Sequence, residues 1–172
     1  YHEQALTILR RLGLRSQEMY ACINLSAVMG AQGNAQDSFI WAQKALEFST
    51  KIGDRTGDGW AYFYLGYAHL LNKNYDEAVH SFLKSIEIRL EVNTSVLVIE
   101  ARAGLVNAYL EIGDQASAQG EAEHVIQYMN TDTLFAGAEE PLRIYLAVFQ
   151  VFEKTKDPRI AVVLQNAIQL LN

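Results

Sequence analysis

The side chains that could carry catalysis or hold a metal are few and scattered in this sequence. Its histidines are His2, His69, His80 and His124. No two of them have the spacing of metal ligands on one helix, and motifs for nucleotide binding, a serine nucleophile or a zinc protease do not occur. Glu139 and Glu140 directly precede a predicted helix start, where the helix dipole favours negative charge. We therefore predict a protein that is not an enzyme, with no catalytic residues, no cofactor and no metal.

Composition and net charge limit the binding partners and the cellular compartment that are expected for this protein. Half of the 172 residues are hydrophobic (50%) and 20% are charged, which is typical of a globular chain. The formal net charge of −6 argues against nonspecific binding to nucleic acid or to an anionic membrane. The single cysteine, Cys22, cannot form an internal disulfide, so a reducing, cytoplasmic location is expected. No apolar run reaches the ~18 residues that a membrane span needs.

Residues 59–89 form two apolar helical patterns on either side of a short polar turn. One face of the first helix carries Tyr62, Leu65, Gly66 and His69, and one face of the second carries Ala78, Phe82, Ser85 and Ile86. Because Gly66 and Ala78 are small, the two helices can cross closely, and Phe82 then fills the remaining space. Asn74 with Glu77 three residues later predicts a capping box at the start of the second helix.

This pattern resembles the tetratricopeptide repeat, whose signature is W-x2-L-G-x2-Y followed by A-x3-F and P. The Leu-Gly and Ala-x3-Phe elements are present at 65–66 and 78–82. The usual Trp, Tyr and Pro are replaced by Tyr62, His69 and Leu90. Related patterns surround Leu25 and Leu105, forty residues to either side of Leu65. This forty-residue variant is similar to the repeats of MalT-like bacterial regulators and to Leu-Gly-Asn repeat scaffolds.

The resemblance implies an all-α fold, an α-α superhelix or tetratricopeptide-like solenoid of antiparallel helix pairs, in one array over 1–172. We assign residues 1–12 to the second helix of a truncated repeat, and the following repeats to 15–53, 54–92 and 93–130. A degenerate or capping repeat is expected over 139–172, with Pro141 and Asp157-Pro158 at helix starts and Ala161 at the repeat Ala position.

The first helix, over residues 1–12, has an apolar face that lacks a predicted partner helix. It carries Ala5, Leu6, Ile8 and Leu9. An exposed apolar face of this kind tends to self-associate, so a homo-oligomer through this helix is one expectation.

A second stripe lies opposite the core stripe on the first helix of the central repeat. It consists of Trp60, Tyr64, Tyr67 and Leu71, and the equivalent positions of the neighbouring repeats are Tyr20, Asn24, Ala27 and Ala31, then Glu100, Gly104, Asn107 and Glu111. Packing on adjacent helices is one explanation, and we expect it for Phe63. The change from aromatic residues to Asn and Glu favours an exposed groove with aromatic anchors, with Glu100 and Glu111 at one edge. The predicted groove residues are Tyr20, Asn24, Trp60, Phe63, Tyr64, Tyr67, Leu71, Glu100, Asn107 and Glu111.

Two functions follow from the resemblance and stay open at this point. The first is a non-enzymatic protein–protein interaction module that binds a peptide or helical segment in its concave groove, as part of a larger signalling or regulatory protein. Its partner would be an apolar segment flanked by basic residues, not nucleic acid or a membrane. The alternative is a structural spacer or self-association unit whose groove is occupied by its own polypeptide.

Overall fold

The structure is a computed structural model that describes residues 2–131, 135 and 137–171. These residues form α-helices and no strand, which confirms the all-α prediction for the described part of the chain. The helices are α1 His2–Arg11, α2 Arg15–Ala31, α3 Ala35–Ile52, α4 Arg55–Leu71, α5 Tyr75–Glu91, α6 Ser95–Ile112, α7 Gln115–Met129, α8 Pro141–Thr155 and α9 Ile160–Gln169. They fall into two compact units, Tyr1–Val92 and Asn93–Asn172.

The six turns that connect α1 to α7 share one backbone conformation. Residues in the left-handed conformation recur every twenty positions, at Gly13, Gly33, Gly53, Lys73, Asn93 and Gly113, with φ between +58° and +89°. In five of these turns the next residue donates its N–H to the carbonyl five positions earlier, as Asn34 does to Met29 at 2.9 Å. This hydrogen bond ends the helix, and the chain then turns back into the next helix. Gly33 and Gly113 therefore lie at the helix ends that these turns form.

Three of the following helices begin with a side-chain cap. Asn34, Asp54 and Asp114 each accept a hydrogen bond from the backbone N–H three residues later. Asn74 is the N-cap of α5, which confirms the predicted helix start, but it makes no side-chain capping bond, so the capping box with Glu77 is not formed. Both side chains are exposed, and water can satisfy the helix-end groups instead.

The packing of the first unit follows the predicted stripe. Leu25 and Leu65 are buried, and so is Phe82 against Gly66. A Cβ placed on Gly66 would lie 2.6 Å from Phe82 Cε1, so α4 and α5 need glycine at this crossing. The close approach inferred from the sequence is thus confirmed.

At the crossing between α2 and α3, two serines replace the smaller residues of the central hairpin. Ser26 and Ser38 stand where the central hairpin has Gly66 and Ala78, and both are buried. The Ser26 hydroxyl donates to the Ser38 carbonyl at 2.8 Å, and the Ser38 hydroxyl donates to the Ser26 carbonyl at 3.0 Å. Because each polar group has a partner, this crossing tolerates serine without an unsatisfied buried hydroxyl.

The N-terminal helix differs from the expectation of a bare apolar face. Leu6 is only 3% exposed and belongs to the same core cluster as Met19 and Cys22. Since α1 packs on α2, this part of the prediction is wrong. Ile8 is exposed as expected, Leu9 is half-buried, and the side chain of Ala5 lies outside the described residues.

The second unit is built around α6, α7 and α8. Leu105 and Val148 are fully buried, and Pro141 occupies the first turn of α8 as predicted. The expectation for Ala161 is wrong, because Ala161 is exposed and Val163 is the buried residue of α9. The reason is that Pro158 lies in the turn before α9, which begins only at Ile160.

The turn residues give a first prediction for stability. Gly33→Ala should lower the free energy of unfolding by about 1 kcal/mol, since an L side chain is disfavoured at positive φ. The space around a Cβ at Gly33 is open, so the effect is conformational and not steric. Lys73→Gly relieves the same strain at φ 60° and should stabilise by about 0.5–1 kcal/mol. Urea unfolding measures both, and effects of equal sign would contradict the explanation.

Candidate functional site

An aromatic cluster on α4 and α5 is centred on Phe63. Its ring centroid lies 5.9 Å from that of Trp60, 5.1 Å from Tyr64, 4.9 Å from Tyr67 and 6.2 Å from Phe82. Phe63 is only 6% exposed, so it packs as expected for that residue. Phe63 therefore supports the neighbouring rings from the protein interior. Its assignment to the groove residues that would touch a partner is corrected, because it is buried.

Trp60 and Tyr64 are half-buried, as predicted for two anchors of a binding surface. Their rings stack with centroids 6.2 Å apart and an interplanar angle of 19°. Both residues pack against the core cluster that includes Leu25 and Ala45, and both remain partly exposed. Because these contacts hold both rings in place, little conformational entropy would be lost when a partner covers them.

Arg89 is a component of the cluster that sequence reasoning missed. Its guanidinium lies 4.5 Å from the ring centroid of Trp60 and 4.4 Å from that of Phe63, and the residue is 2% exposed. Gly59 makes room for it, since a Cβ there would lie 3.3 Å from Arg89 Cγ. The signal was present, because Arg89 follows Phe82 and Ser85 on the core stripe of α5. A cation against two ring faces fixes the orientation of Trp60.

Helix α2 packs on α4 and extends the exposed part of the cluster. Tyr20 is 42% exposed and Asn24 is exposed. Partial desolvation raises the pKa of Tyr20, and the negative charge of the Asp54 carboxylate raises it further. Leu71 is exposed at the other end of α4. We call the partly or fully exposed set the aromatic surface: Tyr20, Asn24, Trp60, Tyr64, Tyr67 and Leu71.

The predicted groove residues on α6 belong to the second unit and have different roles. Glu100 is 3% exposed, and its carboxylate accepts hydrogen bonds from the backbone N–H groups of Glu139 at 2.6 Å and Glu140 at 3.2 Å. The expectation that Glu100 forms an exposed groove edge is therefore wrong. Asn107 is half-buried and Glu111 is exposed. Glu100 and Glu139 are 39 residues apart, so no local sequence pattern indicates this contact.

The remaining chemistry-bearing side chains do not assemble into a site within the described residues. No group of three or more His, Cys, Asp or Glu among them could hold a metal ion. Cys22 is buried. His69 makes an edge contact with the Phe39 ring at 5.1 Å, and burial lowers its pKa, which fits a packing residue. In the same part of the chain, no helix is both long and apolar enough to cross a membrane.

Comparisons with known proteins agree with this geometry. The sequence model of the family Tetratricopeptide repeat matches residues 17–91, which lie within the first unit. Two solved structures contain nearly identical TPR-like repeats of a protein named as a kinesin light chain of Podosopora anserina. One, a single-substitution variant, has a TM-score of 0.69 and 16% identity, and the match covers 98% of this chain and 82% of the other. The second has a TM-score of 0.62 and 13% identity, with 99% and 87% covered.

The family match shows tetratricopeptide repeats within the first unit. It covers residues 17–91, and the structural matches show the same fold over nearly the whole chain. Tetratricopeptide repeats are a scaffold family and generally act as protein-interaction modules, because stacked helix pairs present extended surfaces. A comparison with curated proteins finds no match.

Proposed function

We propose that the aromatic surface of the first unit binds an apolar peptide or helical segment of a protein partner. The observation that carries the proposal is the partial exposure of Trp60 and Tyr64, although Phe63 packs against both rings and Arg89 lies over that of Trp60. Rigid, amphipathic aromatic rings of this kind are enriched among the residues that dominate binding energy.

The polar residues beside the rings suit a peptide backbone. Asn24 offers an amide donor and acceptor, and Tyr20 offers a hydroxyl, at the edge of the apolar area. The carboxylate of Asp54 near Tyr20 favours a segment with a basic flank. Glu100, Asn107 and Glu111 belong to the second unit and are not part of the aromatic surface.

We further propose that this module serves a larger signalling or regulatory protein in the cytoplasm. The buried free thiol of Cys22 is compatible with a reducing compartment, and the resemblance to repeat regions of regulators supports the role.

Selection of random peptides on the full chain, followed by fluorescence anisotropy with an enriched peptide, tests the binding surface. Trp60→Ala combined with Tyr64→Ala should raise the Kd at least about tenfold, because two central anchors are lost. The matched control is Leu83→Ala with Leu90→Ala, two exposed apolar residues of α5 outside the aromatic surface. Circular dichroism confirms that each variant stays folded. Similar losses in both double variants, or none in the first, would refute the proposal.

A further inference from the structure

A groove between α7 and α9 in the second unit has the features of a separate binding site. It has a volume of about 430 Å³, within the range of small-ligand and side-chain pockets. Its floor consists of Ile126, Met129 and Val163, which are half-buried or buried. The amide side chains of Asn130 and Asn166 lie at its rim. An apolar floor with two amides beside it can hold an apolar side chain and bond the adjacent backbone.

Arg159 is the charged residue that lines the groove, and its two carboxylate partners, Glu123 and Asp157, lie next to the lining. Arg159 donates to both carboxylate oxygens of Glu123, at 2.9 and 2.6 Å, and to Asp157 at 2.6 Å. Hydrogen bonds from Arg159 hold the pKa of Glu123 and of Asp157 below their ordinary values, so both are ionised at neutral pH. Arg159 and its two carboxylate partners together carry a net charge of −1 beside the groove.

The net charge of the second unit is also negative. Residues 93–172 contain 5 Lys and Arg against 10 Asp and Glu. A field of this kind attracts a basic partner and repels an acidic one. The guanidinium of Arg159 is itself neutralised by its two carboxylates and packs on the Phe152 ring at 4.6 Å, so it does not recruit an anion.

We infer that the α7–α9 groove binds a basic peptide segment of a protein partner, with an apolar side chain on the floor and Lys or Arg beside it. The site lies in the second unit and uses no residue of the aromatic surface. It is therefore a second recognition site, whose existence does not depend on the function proposed for α2 and α4.

Two labelled peptides test this inference on the full chain. The probes are fluorescein-labelled Gly-Ser-Lys-Leu-Lys-Ser-Gly and its counterpart with Glu in place of both Lys. The basic peptide should bind with a Kd below about 1 mM and at least about tenfold more tightly than the acidic one. Absence of binding by the basic peptide, or equal affinity of the two, would overturn the inference.

A matched pair of variants locates the binding. Val162 lines the groove, whereas Leu164 on the same helix does not, and both are exposed. Val162→Lys should weaken binding of the basic peptide at least about fivefold, while Leu164→Lys should change it less than about twofold. Equal effects of the two variants would show that the probe is attracted only by the net charge of the protein. That result would refute binding in the groove. These Kd values are measured in the Trp60→Ala, Tyr64→Ala background, because the aromatic surface is also proposed to favour a basic flank and must not contribute to binding of the probe.

Discussion

Phe82→Ala is expected to lower the free energy of unfolding of the first unit by about 3–5 kcal/mol. Phe82 is fully buried, and its ring contacts those of Phe63 and Tyr67, with centroids 6.2 and 5.1 Å away. Removing it leaves a cavity at the closest approach of α4 and α5. Both tryptophans, Trp41 and Trp60, lie in this unit, so tryptophan fluorescence during urea unfolding reports its stability.

A double-mutant cycle with Gly66 separates this explanation from a general loss of hydrophobic area. Gly66→Ala alone should destabilise by about 1–3 kcal/mol, because the new Cβ overlaps the Phe82 ring. In the Phe82→Ala background the same methyl group enters empty space. The two losses should therefore add to more than the loss in the double variant, by about 0.5–3 kcal/mol. Strict additivity would show that the two residues do not share this crossing.

Glu100→Ala should destabilise the second unit by at least about 2 kcal/mol. The buried carboxylate accepts hydrogen bonds from two backbone N–H groups before α8, and bonds to a charged acceptor are the strong ones. The variant should also speed amide hydrogen exchange at Glu139 and Glu140, whose N–H groups lose their acceptor. Glu111→Ala, on the exposed face of the same helix, is the control and should stay within about 0.5 kcal/mol. Unchanged exchange at both amides would contradict the capping role of Glu100.

The helical pairs could be predicted from the sequence because their determinants are local and periodic. Leu25, Leu65 and Leu105 mark buried stripes, and glycines mark several of the turns. The Ser26–Ser38 pair between α2 and α3 departs from the Gly and Ala of the central hairpin. The two reciprocal hydrogen bonds that make it tolerable require the observed helix crossing.

The candidate site was predicted in part, for a similar reason. Helical spacing places Trp60 and Tyr64 on one stripe, and the structure shows both as partly exposed. Spacing alone does not show how deep a residue lies, so Phe63 and Glu100 were assigned to a surface although both are buried. Arg89 was missed because charged residues are rarely expected in a core, where this one lies between aromatic rings.

Binding at the aromatic surface can be read most directly from the fluorescence of Trp60. Trp41→Phe leaves Trp60 as the sole tryptophan of the chain. When a peptide enriched by selection is added to saturation, we predict a blue shift of the emission and protection from acrylamide quenching, because the exposed part of the ring becomes covered. A peptide that binds while Trp60 keeps the emission and quenching of the free protein would contradict the proposed binding surface.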